Sequence, residues 1–324
     1  MGSGSGKLIL FGEHAAVYGL PAVGTPLPCR TVLKFSPEST YPDHQRDRSC
    51  SNPHNAIRLE GASKECRDTL AKLLDDLSQL DNPKYLPPRG SWRIRSDVPR
   101  AGGFGSSGAL CVAVARIVLD KPENQYDREV HRLANLLERR FHGTPSGIDT
   151  GMSADNVSAL WISTRNRLPR RCPISIPSWH LLYGALPRVS DTAENVRCLQ
   201  REMESENPEL ISAMNELGEL SMNFAALISR KENCFSQIAA QLVNRAQEIL
   251  AEFGLSLPLL NRVLNIAAEE GAIAGKISGA GSGGAFYLCA PNRTTRDELL
   301  RVLPARLASE GITLALNLTA LDFG

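Results

Sequence analysis

The stretch Pro99-Arg-Ala-Gly-Gly-Phe-Gly-Ser-Ser-Gly-Ala109 carries the most concentrated anion-binding chemistry in the chain. Gly102, Gly103 and Gly105, then Ser106 and Ser107, stand directly before the apolar run Leu110 to Leu119. A glycine loop feeding a helix start leaves backbone N–H groups unpaired, with the positive end of the helix dipole behind them. Glycine lets an anion reach the backbone and adopts the positive φ such loops need. Gly102, Gly103, Phe104, Gly105, Ser106 and Ser107 are therefore the candidate phosphate cradle. Alone, such a loop reads equally well as a surface turn.

Three further clusters change that balance. In Glu138-Arg-Arg-Phe-His142-Gly143-Thr-Pro-Ser146-Gly147-Ile148-Asp149, Glu138 falls near the end of a helix expected over Asp127 to Phe141. Asp149 follows a loop tightened by Pro145 and Gly147. Two such carboxylates could divide labour, one holding a metal and one taking a proton. The plainer reading of Glu138 is a solvated residue paired with Arg139 or Arg140. Near the start, Lys7, Glu13 and His14 bracket the short apolar run Leu8 to Phe11, which suggests that they gather around a cleft. For His14 a satisfied structural histidine is the alternative. Far downstream, Gly275-Lys-Ile-Ser278-Gly279-Ala-Gly281-Ser-Gly-Gly284-Ala285 runs into a strand over Phe286 to Cys289. Gly279 and Gly281 would form the second lip of one nucleotide site.

The opening Met1-Gly-Ser-Gly-Ser-Gly-Lys7 is not a nucleotide P-loop. That pattern needs glycine where Met1 stands and Ser or Thr where Leu8 stands. A first strand is expected only over Leu8 to Phe11, with none in the Gly-Ser alternation before it.

Other elements must position these groups. Leucines 70, 73, 74, 77 and 80 have helical spacing within a helix over Ala62 to Leu80. Trp92 to Val98 alternates like a strand and runs into the glycine loop, so strand, loop and helix follow in the order a phosphate site requires. Val23 to Ser36 reads as one or two strands broken at Pro26 and Pro28, and Pro37 to Asn55 as a loop. Trp179 to Leu186 reads as a strand. Pro187 to Val196 opens a helix in which Thr192 either caps or serves a ligand. Helices are expected at 208–230, 234–253, 257–271 and 299–307, with a last strand over Thr313 to Leu318. Proline spacing at Pro169, Pro173 and Pro177 places a domain boundary there, giving domains 1–175 and 176–324.

Composition narrows the function classes. At 324 residues the chain has room for two domains. A net charge of +1 with 22% charged residues gives no reason to invoke nucleic acid or an acidic membrane surface. Eight cysteines without a C-x-x-C pair argue against a zinc site or disulfide framework and suit a reducing, cytoplasmic setting. The longest apolar helix is too short to span a bilayer.

Taken together, Lys7-Leu-Ile-Leu-Phe-Gly-Glu-His-Ala-Ala-Val-Tyr-Gly19, Gly103-Phe-Gly-Ser-Ser107, His142-Gly-Thr-Pro-Ser-Gly-Ile-Asp149 and Ser278-Gly-Ala-Gly-Ser-Gly-Gly284 resemble the motifs of the GHMP small-molecule kinases. Within that family the likeness is greatest to the branch that phosphorylates mevalonate. The resemblance implies a two-domain α+β fold with the active site in the interdomain cleft. It implies ATP and Mg²⁺ as cofactors, a small-molecule substrate and a possible homodimer. It makes Asp149 the base and Lys7 the cation favouring the alkoxide. Ser107 and Glu138 would hold Mg²⁺, the loop Gly102 to Ser107 with Gly279 and Gly281 would bind nucleotide, and Glu13, His14, Ser146 and Thr192 would bind substrate. The sequence departs from the family pattern at Ser5, Ala101, Gly108 and Ser282, none of which removes a chemical group. The alternatives are a kinase for phosphomevalonate, a sugar or another small alcohol, or a non-catalytic nucleotide sensor on the same fold. A dinucleotide-binding dehydrogenase fits poorly, because Asp120 falls at a helix end rather than a strand end.

Overall fold

The computed structural model describes residues 1–37, 63–100, 102–123, 125–143, 145–164, 167–187, 201, 203, 205–230, 234–279 and 284–323. In chain order the elements are β1 (Gly2–Phe11), β2 (Ala22–Pro37), α1 (Lys64–Ser78), β3 (Gly90–Ser96), α2 (Ser106–Val118), α3 (Arg128–His142) and α4 (Ile148–Ala154). They continue with β4 (Ala159–Thr164), β5 (Arg167–Pro173), β6 (Trp179–Ala185), α5 (Pro208–Arg230), α6 (Phe235–Glu252), α7 (Pro258–Glu269), β7 (Ala274–Ile277), β8 (Ala285–Ala290), α8 (Arg293–Ser309) and β9 (Leu316–Phe323). The α+β class is as expected, in two compact units that interleave in sequence. Unit 1 holds Met1–Gly6, Pro26–Val98 and Gly105–Asn156, and unit 2 holds Lys7–Thr25, Pro99–Phe104 and Val157–Gly324.

In unit 1 the second half of β2 pairs antiparallel with β3, from Thr31 opposite Ser96 to Pro37 opposite Gly90. The α1 leucines 70, 73, 74 and 77 are all buried, as their spacing requires, and Ser63 caps the helix by accepting from the Cys66 N–H at 3.3 Å. The core joins these leucines to Leu33, Trp92 and Ile94 of the sheet and to Val130, Leu133 and Leu137 of α3. At its centre is α2, buried from Gly108 through Ile117.

The Gly-Ser alternation at the start is part of β1, which is buried along its whole length. This overturns the expectation of a strand beginning at Leu8. A side chain at Gly2 would lie 2.2 Å from the Ala113 carbonyl, and one at Gly4 2.2 Å from that of Ala109. The strand is written in small residues because it lies directly on the α2 backbone. Likewise β2 runs through Pro26 and Pro28 without a break. Both prolines fall between Ala22–Gly24, which pair with β4, and Thr31–Pro37, which pair with β3. In those two ladders neither is asked for an N–H.

In unit 2 a four-stranded antiparallel sheet has the order β7-β8-β6-β9. Its register runs from His180 opposite Ala290 to Ala185 opposite Ala285, and from Trp179 opposite Phe323 to Ala185 opposite Leu316. The last strand thus lies further along the chain than expected. Helix α6 packs on β7, and α8 on β6 and β9. Trp179 anchors the core, with Phe224, Phe235, Tyr287 and Phe323 around it at centroid distances of 5.3, 5.9, 6.4 and 6.1 Å. No helix among the described residues is long and apolar enough to cross a membrane.

Candidate active site

Unit 1 presents the start of α2 and both carboxylates. Gly105 is the N-cap of α2 with φ +76°, left-handed backbone that a side chain would strain. The helix therefore begins at Ser106, earlier than hydropathy suggests. On α3, Val130, Leu133, Ala134 and Leu137 face the core, and Glu138 lies on the edge of that face, one turn beyond Ala134. That placement buries it to 1% exposure. It is not the solvated arginine partner of the plainer reading, for Arg140 pairs instead with Asp76 of α1. Glu138 Oε1 accepts the Ser107 hydroxyl at 2.7 Å and lies 2.7 Å from His142 Nδ1. Oε2 is buried with no partner among the described residues.

This is an all-oxygen pair with a buried lone pair to spare. It fits Mg²⁺, which takes one or two protein oxygens and completes its shell with phosphates and water. Among the described residues no three His, Cys, Asp or Glu side chains gather as a self-sufficient metal site. Asp149 is the second residue of α4, half-buried, after Gly147 at φ +83°. Ser146 is exposed, and its hydroxyl accepts the Ile148 N–H at 3.3 Å in the turn that leads into α4.

Unit 2 holds the front of the candidate phosphate loop, the first motif and the third glycine stretch. The Lys7 N–H donates to the Phe104 carbonyl at 2.9 Å, tying β1 to the loop, and the Lys7 side chain is buried. The two glycine stretches abut. A Cβ on Gly284 would stand 2.9 Å from the Gly102 carbonyl, and one on Gly103 would touch Ala285 and the Ser278 carbonyl at 3.4 Å. Gly103 and Gly279 have φ of +82° and +93°. Ser278 fastens this stretch to β1, its hydroxyl donating to the Ile9 carbonyl and accepting the Ile9 N–H, both at 2.9 Å.

Glu13 and Lys276 form an ion pair with both side chains wholly buried. Lys276 Nζ also donates to the Ile277 carbonyl at 2.7 Å. Burial pushes the Glu13 carboxyl up and the Lys276 ammonium down, and each opposes the shift of the other. Glu13 Oε2 has no partner among the described residues. Next to it His14 has φ +59°, unusual for a residue with a side chain. Burial, aided by the Lys276 charge, lowers its pKa to about 4, so the ring is neutral at pH 7. Its buried Nε2 is without a partner among the described residues. A strained residue with an unmet buried nitrogen points to a binding role.

Gly281 and Thr192 lie outside the described residues. Sequence reasoning missed Lys276 and Ser278 as individual groups, although both stand inside a quoted motif. The available signal was a lone lysine within a strand that is otherwise apolar or glycine.

Comparison with known proteins decides the family. The description "GHMP kinases N terminal domain" matches residues 68–154, and "GHMP kinases C terminal" matches residues 224–309. Together they cover more than half of the chain. The chain belongs to the GHMP kinases. Mevalonate kinase of Thermococcus sibiricus is 26% identical over 310 residues, spanning 90% of each chain. Among solved structures, L. major mevalonate kinase in complex with R-mevalonate has a TM-score of 0.73 at 20% identity, covering 98% of this chain and 94% of that one. Streptococcus pneumoniae phosphomevalonate kinase, in complex with phosphomevalonate and AMPPNP, scores 0.70 at 16% identity, covering 99% of each. These structural likenesses establish the GHMP kinase fold.

Proposed function

We propose that this GHMP kinase transfers the γ-phosphoryl group of ATP to the 5-hydroxyl of mevalonate, giving 5-phosphomevalonate and ADP. The observation that carries the substrate is the end-to-end likeness to mevalonate kinases, at 26% identity over nine-tenths of the chain. Phosphoryl transfer is largely positioning and charge neutralisation, and each requirement has a candidate here. Asp149 takes the proton from the substrate hydroxyl. Lys7 favours the alkoxide and the charge developing on the phosphoryl group. The loop Gly102 to Ser107, with Gly279 and Gly281, takes the phosphates. Glu13, His14, Ser146 and Thr192 serve the mevalonate.

Mg²⁺ held by Ser107 and Glu138 would neutralise the β- and γ-phosphates. The buried, unpartnered Oε2 of Glu138 supports that assignment. The same reading keeps domains at 1–175 and 176–324, keeps the enzyme cytoplasmic and allows a homodimer.

The test is ADP release from Mg-ATP with mevalonate, phosphomevalonate, galactose and homoserine, each offered alone. Turnover on mevalonate alone is expected, with Asp149→Asn lowering it on the order of 10²- to 10⁴-fold and chelation of Mg²⁺ abolishing it. Turnover on another acceptor would keep the kinase and replace the substrate. ATP binding without transfer to any acceptor would favour a sensor.

A further inference from the structure

We propose that His131 is a positioning residue for Asp149, acting through the backbone of Gly147. His131 lies on α3, more than a turn before Glu138, and is 0% exposed. Its Nε2 is 2.6 Å from the Gly147 carbonyl, and its Nδ1 is 2.8 Å from the Tyr126 hydroxyl. A carbonyl can only accept, so Nε2 carries the proton, and Nδ1 is left to accept from Tyr126. The Tyr126 ring meets the imidazole edge-on at 5.8 Å. This chain of hydrogen bonds admits one tautomer and one ring orientation.

Its target is the residue on which α4 is built. Gly147 is the N-cap of α4, and its carbonyl also accepts the Gly151 N–H at 3.0 Å and the Thr150 hydroxyl at 3.3 Å. Asp149 follows two residues later, inside that first turn. Because α4 has only seven residues, little of its own hydrogen bonding holds it. Its other end is held by the buried Arg116, which donates to the Ala154 carbonyl at 2.9 Å, and by the Ser5 hydroxyl on the Ser153 carbonyl at 3.2 Å. At the Asp149 end, a Cβ on Gly108 of α2 would already lie 3.4 Å from the Asp149 carbonyl. So α2 sets how close the aspartate backbone comes, and His131 sets where its turn begins. Burial lowers the His131 pKa to about 4, with Arg128 acting in the same direction and Asp155 and the Gly147 bond opposing. The imidazole therefore stays a neutral donor throughout the working range.

The inference rests on Asp149 being the base, and the experiment separates the two. His131→Phe keeps a ring but loses the donor, whereas His131→Gln keeps an N–H that can reach the Gly147 carbonyl. In an enzyme active on mevalonate, H131F is expected to lower kcat roughly ten- to a hundredfold, as a small misplacement of a catalytic group does. KM for ATP and mevalonate should stay within about twofold, and H131Q should regain most of the rate. Combined with Asp149→Asn, H131F should cost nothing further, because the residue it positions is already disabled. An unchanged kcat in H131F, or an equal loss in the D149N background, overturns the proposal. If the wild type transfers phosphate to no acceptor, the Asp149 reading falls, and amide exchange still tests the His131 contact. H131F should then speed exchange of the Gly151 N–H while H131Q does not, and equal protection in all three proteins overturns the positioning role.

Discussion

Replacing Lys276 by methionine tests how the first motif is held to the third glycine stretch. Both partners of the Glu13–Lys276 pair are wholly buried, so the substitution leaves a carboxylate without its ion-pair partner in a dry interior. Breaking one side of such a pair costs about 3–5 kcal/mol. That corresponds to roughly two to three and a half decades in the folding equilibrium, at about 1.4 kcal/mol per tenfold. Methionine keeps the length and apolar stem of lysine, so lost packing is a minor part of the cost. It does forfeit the contact of the ammonium with the Tyr287 ring, 5.5 Å from its centroid.

The deficit carries a pH signature whose sign follows from the Glu13 shift. Its carboxyl is already raised by burial, with Lys276 the principal opposing influence. Without the lysine it is raised further, so the folded variant binds a proton that the unfolded chain has released. Its stability therefore falls as pH rises through the carboxyl range and above. Urea unfolding of wild type and K276M at pH 5 and pH 8 should show the larger gap at pH 8. Replacing both partners, E13Q with K276M, should regain most of the loss, because neither member of the pair is left as an unpaired buried charge. A K276M cost below about 1 kcal/mol, or a double variant no better than K276M, would refute this account.

Two further outcomes follow from the same geometry. His131 has its pKa lowered to about 4 against an ordinary 6.5, so its stabilising contribution is complete above pH 6.5 and is lost as pH falls toward 4. At pH 5 that loss is about 2 kcal/mol, and H131Q should be less acid-sensitive than wild type by that amount in paired urea melts; parallel pH profiles would count against a buried neutral imidazole. At Gly284, with φ +122°, alanine would meet the Gly102 carbonyl at 2.9 Å. Strain of about 1–3 kcal/mol at such a position should raise KM for ATP while KM for the acceptor stays level, and an unchanged nucleotide KM would detach the third glycine stretch from the nucleotide.

Much of the candidate site was legible in the sequence because its signals are local. Gly103, Gly105, Gly147 and Gly279 take positive φ that side chains resist, so their positions show wherever the chain is read. The core faces of α1 and α3 were likewise written in their spacing, since a helix that buries one stripe must repeat every three to four residues. Glu138 and Asp149 could be picked out as carboxylates beside a glycine turn without knowledge of what they touch.

What remained hidden depends on partners far apart in the chain. That Gly2–Gly6 belongs to a buried strand, with Gly2 and Gly4 against the α2 backbone, is encoded by no local propensity. Glu13 and Lys276 stand 263 residues apart, and Ser278 and Ile9 269 apart. His131 reads as an ordinary helix residue until the Gly147 carbonyl is brought within hydrogen-bond reach of its Nε2. Residue types and local spacing determined which groups could do chemistry, because backbone dihedrals and helical periodicity are properties of neighbours. Only the tertiary structure decided which of those groups are buried, paired or left with an unmet atom. Burial and pairing depend on which distant segments come to lie against them, and the cost of an unmet charge arises only once water has been removed.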